Sequence, residues 1–361
     1  MFNKTRLLVA RQRASLTKTE LAKRVGVEPR AISGFEAGQY PPSEDTIDRI
    51  AVALRYPREF FLADDIDVPH QSGVSFRSMT RMSSRQRDAA IAAGALAYVL
   101  SDWLEKEFDL PEVDLPDLRE DTPETAAMAL RHHWGLGESP VKNMVHLLEL
   151  KGIRVFSLAE NSVEVDAYSV WRGERPCVFL NMGKSGERRR FDAAHELGHL
   201  VLHKHAGPVG LEAEKEANSF ASAFLMPSAS MKTLGRVTTI DQIILAKKKW
   251  VVSVAAMAYR LHDMKLVSDW NYHMLCVEIA KRGYRKQEPF GAKPETSQVW
   301  QKVFADLRKS GQGIEHLANK LLLPSEELVK LVFGLVTVGL PSNATVVVGS
   351  KNRPNLRLIE N

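Results

Sequence analysis

Cysteine is scarce in this 361-residue chain, with two residues, Cys177 and Cys276. Two are too few for a disulfide framework, and both read as small buried hydrophobes. Long apolar runs are also missing. The longest patches, residues 89–100 and 331–340, are too short or too interrupted for a membrane span. The N-terminal Met1-Phe2-Asn3-Lys4-Thr5-Arg6 shows no secretory apolar segment. These absences argue against a secreted, disulfide-stapled or membrane protein and lead to the cytoplasm as the expected location. Hydrophobic content of 44% and charged content of 26% suit an ordinary globular chain, long enough for two or three domains. The net charge of +5 is mild but unevenly spread. Residues 1–60 hold eleven Lys and Arg against seven Asp and Glu, so a basic module opens the chain and hints at nucleic acid.

What is present is most informative at His195-Glu196-Leu197-Gly198-His199, an H-E-x-x-H inside an apolar helical pattern. Two imidazoles four residues apart share a helix face and can bind one metal ion, and the carboxylate between them can act as a base. A catalytic zinc needs a third protein ligand. Downstream, Glu214, Asn218, Ala221 and Leu225 share one face of a second helix, which favours Glu214 as that ligand. Glu216 is the alternative, and Asn218 is placed to support the site. His203 lies a further turn along the face of His199, as an extra ligand or a rim histidine, and His205 follows it. Tyr168, on a strand, either polarises a substrate carbonyl or packs on the metal helix. Manganese or iron could replace zinc at such a site.

The N-terminal segment reads as short helices, Lys4–Arg13, Thr17–Val25, Pro29–Ala37, Ser43–Leu54 and Pro57–Leu62, with Gly26 and Gly38 closing two of them and Ser43 capping a third. Small Ala22 at the crossing, Gly26 in the turn, and inward Val27, Ile32 and Phe35 have helix-turn-helix spacing. Residues 66–83 are polar and read as a linker. A long helix, Ser84–Phe108, comes next. Helices at Glu124–Trp134 and Val141–Leu150 precede three strands, Gly152–Ala159, Val163–Trp171 and Pro176–Asn181. The metal helix, Glu187–His203, and its neighbour, Glu212–Leu225, complete a small α+β unit. Further helices are expected at Ile240–Trp250, Ser253–Lys265, Trp270–Arg282, Gln298–Lys309, Ile314–Leu322 and Ser325–Val336, then a short hairpin over 345–349 and 356–359. Residues 313–328 have a helix-turn-helix rhythm or are plain helical packing. The fold class is therefore mainly α with a small α+β domain.

The N-terminal pattern, from Leu16-Thr17-Lys18-Thr19-Glu20 through Ala31-Ile32-Ser33-Gly34-Phe35-Glu36 to Leu54, resembles the Xre/Cro-type helix-turn-helix. That resemblance implies a five-helix module with residues 28–37 as recognition helix in the major groove of double-stranded operator DNA, usually as a homodimer on two half-sites. Glu28, Arg30, Ser33 and Gly34 would face bases or phosphates, with Arg30 the foremost base reader. Thr17 and Lys18 would contact phosphate. Arg11 and Glu36 occupy positions that pair across helices in this fold. Residues 141–227, through Asp166-Ala167-Tyr168-Ser169, Val178-Phe179-Leu180-Asn181, the H-E-x-x-H helix and Glu214-Lys215-Glu216-Ala217-Asn218 to Met226-Pro227, are similar to the ImmA/IrrE family of zinc peptidases. That implies a gluzincin-like metallopeptidase with one Zn2+ per chain on His195, His199 and Glu214, and Glu196 as catalytic base. The resulting division is a reader at 1–65, a linker at 66–83, a peptidase domain at 84–230 and a mostly helical sensory or interaction region at 231–361. The resemblance implies a transcriptional regulator whose zinc endopeptidase cleaves a repressor-type protein, or itself, on a stress or mobile-element signal. The alternatives are a non-proteolytic regulator, or an antitoxin that binds a toxin and represses its own operon.

Overall fold

The computed structural model describes residues 1–70, 75–76, 83–158, 167–204, 210–332 and 334–336. His205, Asp166 and the expected C-terminal hairpin lie outside these. Along the chain come α1 (Lys4–Arg13), α2 (Lys18–Val25), α3 (Pro29–Ala37), α4 (Glu44–Leu54), a 3-10 turn at Arg58–Leu62, β1 (Ser75–Phe76) and α5 (Ser84–Glu107). Next are α6 (Pro123–His133), α7 (Met144–Leu150), β2 (Arg154–Leu158), β3 (Tyr168–Arg172), β4 (Arg175–Asn181), α8 (Gly186–Leu202) and α9 (Leu211–Leu225). A short α10 (Ser228–Lys232), then α11 (Ile240–Trp250), α12 (Val254–Asp263), α13 (Asp269–Lys281), α14 (Gln298–Lys309), α15 (Ile314–Leu321) and α16 (Ser325–Val332) complete the order. The chain is mainly helical with one small sheet, as the sequence predicts. Among the described residues no helix is long and apolar enough to cross a membrane.

The chain divides into two compact units. The first comprises Met1–Pro111, Phe156–Asp166 and Gln298–Leu358, and the second comprises Glu112–Val155, Ala167–Ser297 and Ile359–Asn361. In the first unit, α1 to α4 close on Leu7, Leu21, Ala22, Val25, Ile32, Ile47, Ile50 and Leu54, all buried. Each large side chain among them contributes about 1.5–3 kcal/mol by leaving water. Local chemistry sets the helix ends. Thr17 accepts from the Glu20 backbone N–H while the Glu20 carboxylate accepts from the Thr17 backbone, a complete capping box. Gly26 and Gly38 end α2 and α3 in the left-handed region, at φ 72° and 73°. Helix α1 packs on α5, and α15 on α5. Arg13 pairs with Glu327 at 2.5 Å, with both side chains almost enclosed.

In the second unit, β3 and β4 pair antiparallel, with Tyr168 opposite Phe179 and Ser169 opposite Val178. Helix α8 packs on β3 and β4 and against α6, α7 and α9. It is therefore buried on nearly every side, which suits the small and aliphatic residues that surround the two histidines from Ala193 to Leu202. Gly198 makes the α8–α9 approach close. A Cβ there would meet the Phe220 ring at 3.0 Å and the Ala217 Cα at 3.3 Å.

Helix α7 starts at Met144, later than the Val141 the periodicity suggests. Asn143 caps it, accepting from the His146 N–H, and Glu295 accepts from the N–H groups of Met144 and Val145. That carboxylate arrives from more than a hundred residues away, so no local pattern announces it.

Candidate functional site

Helix periodicity brings His195 and His199 to one face of α8, and the packing of α9 brings Glu214 to them. Nε2 of His195 and Nε2 of His199 are 3.1 Å apart. Nε2 of His195 is 3.3 Å from one Glu214 carboxylate oxygen, and Nε2 of His199 is 3.3 Å from the other. Among the described residues these three form the one group of ligand-type side chains close enough to hold a metal ion. The spacing fits such an ion. Tetrahedral bonds of about 2.0–2.1 Å place neighbouring donors about 3.3 Å apart. Two imidazoles and a carboxylate are also a donor set suited to zinc.

Glu196 lies on the same helix turn, 1% exposed. Its Oε2 accepts a hydrogen bond from Ser169 Oγ at 2.7 Å. Two residues along β3, Trp171 Nε1 donates to the Leu200 carbonyl at 3.2 Å. Alternation along a strand therefore sends Ser169 and Trp171 towards α8, and Tyr168 to the opposite side. Tyr168 is fully buried there, stacked on Phe179 with centroids 4.3 Å apart.

The remaining candidates fall into two groups. Asn218 donates to the Glu214 backbone carbonyl at 2.6 Å, so it touches the helix carrying that carboxylate rather than the carboxylate itself. His203 Nδ1 lies 2.8 Å from His199 Nδ1, and its Nε2 lies 2.9 Å from Glu216 Oε2. Glu216 is thus engaged with His203, while Glu214 faces the other two histidines. Burial lowers the His203 pKa against the opposing pull of Glu216.

In the first unit, Lys18 is exposed at the start of α2, and Glu28 and Arg30 are exposed and Ser33 half-buried around the start and outer face of α3. Thr17 is half-buried and its hydroxyl is engaged by Glu20. Gly34 is placed differently. It is buried, and a Cβ there would lie 2.7 Å from the Tyr40 ring, so it serves close packing. Arg11 bridges Glu36 through Nε at 2.5 Å and a terminal nitrogen at 3.1 Å, and also donates to the Leu16 carbonyl. Lys18 stands 3.5 Å from the same carboxylate.

Residues 148–262 match the family model of the IrrE N-terminal-like domain, peptidase family M78, and residues 8–61 match a helix-turn-helix family model. The chain resembles a fusion of the two. No curated protein matches it. The helix-turn-helix is of the kind found in DNA-binding regulators, and the IrrE-like domain is metallopeptidase-like.

Within the IrrE-like domain, sequence reasoning missed Ser169 as the partner of Glu196. The signal was available in the strand alternation, since a small polar residue inside an apolar strand calls for a polar partner. The role of Glu295 was also missed. It pairs with the buried Arg190 guanidinium of α8 while capping α7.

Proposed function

We propose that the protein is a DNA-binding transcriptional regulator carrying a zinc-dependent endopeptidase, with a repressor-type protein or the chain itself as substrate. The observation that carries this reading is the convergence of His195, His199 and Glu214 beside a buried, hydrogen-bonded Glu196. A divalent cation held by those three would polarise the scissile carbonyl and acidify water. Glu196 takes the proton from the attacking water and delivers it to the departing amine. Ser169 holds one oxygen of that carboxylate, which fixes its aim. We assign residues 1–65 to reading DNA as a homodimer, 66–83 to linking, 84–230 to peptide chemistry and 231–361 to sensing or protein contact. A stress or mobile-element signal is the proposed trigger.

The test incubates the full chain and Glu196→Gln with zinc, alone and with helix-turn-helix repressor proteins. We expect new fragments from the wild type and none from the variant. Identical banding would sink the peptidase assignment and leave a regulator whose metal fold senses or binds.

A further inference from the structure

His199 has two ring nitrogens, and the structure gives each a partner. Nε2 faces His195 and Glu214, and Nδ1 faces Nδ1 of His203 at 2.8 Å. The direction of the hydrogen bonds follows from the outer end. A carboxylate accepts only, so His203 Nε2 carries the hydrogen and donates to Glu216 Oε2 across 2.9 Å. A neutral imidazole protonated at Nε2 has a bare Nδ1, so His203 accepts there and the Nδ1–H of His199 donates. His199 Nε2 is then left with its lone pair aimed into the cluster, which is the tautomer a metal ligand needs. The His203 side chain is 9% exposed, so little water competes for either bond.

We propose that Glu216 and His203 are positioning residues, a carboxylate–imidazole relay that holds His199 in its metal-binding tautomer and orientation. The proposal rests on the metal-site reading above and adds the route by which a second acidic residue of α9 serves that site without touching the ion. Partners of this outer kind typically contribute 10- to 100-fold in metal affinity.

The test titrates full-length protein with zinc against a fluorescent zinc indicator, so no turnover is needed. Glu216→Ala and His203→Phe should each weaken zinc binding by roughly 10- to 100-fold. Glu216→Gln, which keeps an acceptor, should recover most of the loss. Because Glu216 acts through His203, adding Glu216→Ala to His203→Phe should cost nothing more. Melting curves without metal check folding, and His203→Gln replaces His203→Phe if the latter is unfolded. Additive losses in the double variant would overturn the relay and make Glu216 act directly. Near-wild-type affinity in both single variants would overturn it as well. A wild type that takes up no zinc would overturn the underlying site reading too, which separates the two failures.

Discussion

Glu214 and Glu216 stand two residues apart on α9, yet one faces His195 and His199 and the other faces His203. Helical geometry separated them in the sequence, because Glu214 shares a stripe with Asn218, Ala221 and Leu225 while Glu216 does not. What the stripe could not reveal was the side chain that Glu216 would meet. Ser169 is a similar case, since its hydrogen bond to Glu196 spans 27 positions. Replacing it with Ala should lower kcat for peptide cleavage about ten-fold, part of the 10²–10⁴ that a positioned base supplies, and leave KM nearly unchanged. Steady-state kinetics on the two proteins would show this, and an unchanged kcat would mean Glu196 needs no such support. In the reader, Arg11 and Glu36 form a nearly enclosed pair, with side chains 10% and 5% exposed. Arg11→Ala leaves the Glu36 carboxylate with only the half-exposed Lys18 nearby. We expect a loss of about 3 kcal/mol in a denaturant titration, near the lower end for a broken buried pair.

At the scale of elements, helix ends were legible where local chemistry sets them. Ser43, Gly26 and Gly38 announce their roles within a few residues, whereas Thr17, which the sequence placed inside its helix, caps it. Ends fixed by distant groups were not, as Glu295 on α7 shows, and α10 escaped because five residues carry too little period. The start of α8 is another element held from afar. Glu187 of α8 is paired at 3.0 Å with the fully buried Lys247 of α11 and accepts from the Ala292 N–H at 2.8 Å. Burial pushes the Glu187 carboxyl up, but these bonds outweigh it and leave it below the usual carboxylate value. Its contribution is therefore complete above the unfolded carboxylate range, near pH 4.3, and fades as pH falls through its lower folded value. Glu288, also at Lys247, is raised by burial and works in the opposite sense, its contribution fading as pH rises through its folded value. Comparing melting temperature with pH for wild type and Glu187→Gln isolates the first effect. The gap should be widest near neutrality and narrow in acid. A gap that does not change with pH would contradict this account. Gly198 supplies a second element-scale prediction. Gly198→Val should force α8 and α9 apart, cost about 1–3 kcal/mol of stability, and weaken zinc binding in the indicator titration.

At the scale of the whole molecule, the uneven charge pointed to a basic reader, and the helix-turn-helix match falls on that basic segment. The proposed chemistry and the proposed DNA contacts use different residues, so they should be separable by substitution. Arg30→Ala should weaken operator binding by about 1–3 kcal/mol and leave peptide cleavage intact, while Glu196→Gln should do the reverse. Binding should also fall steeply with salt, measured by fluorescence anisotropy on a selected duplex. Loss of both activities in either variant would show that the functions are not independent. The cluster of His195, His199 and Glu214 has one more implication. Its donors come from two separate helices, so an ion seated there would brace α8 to α9 as a cross-link that ordinary side chains do not provide. Stripping it with a chelator should then soften the domain as well as silence it, by about 4 kcal/mol where free metal had stood a thousandfold above its dissociation constant.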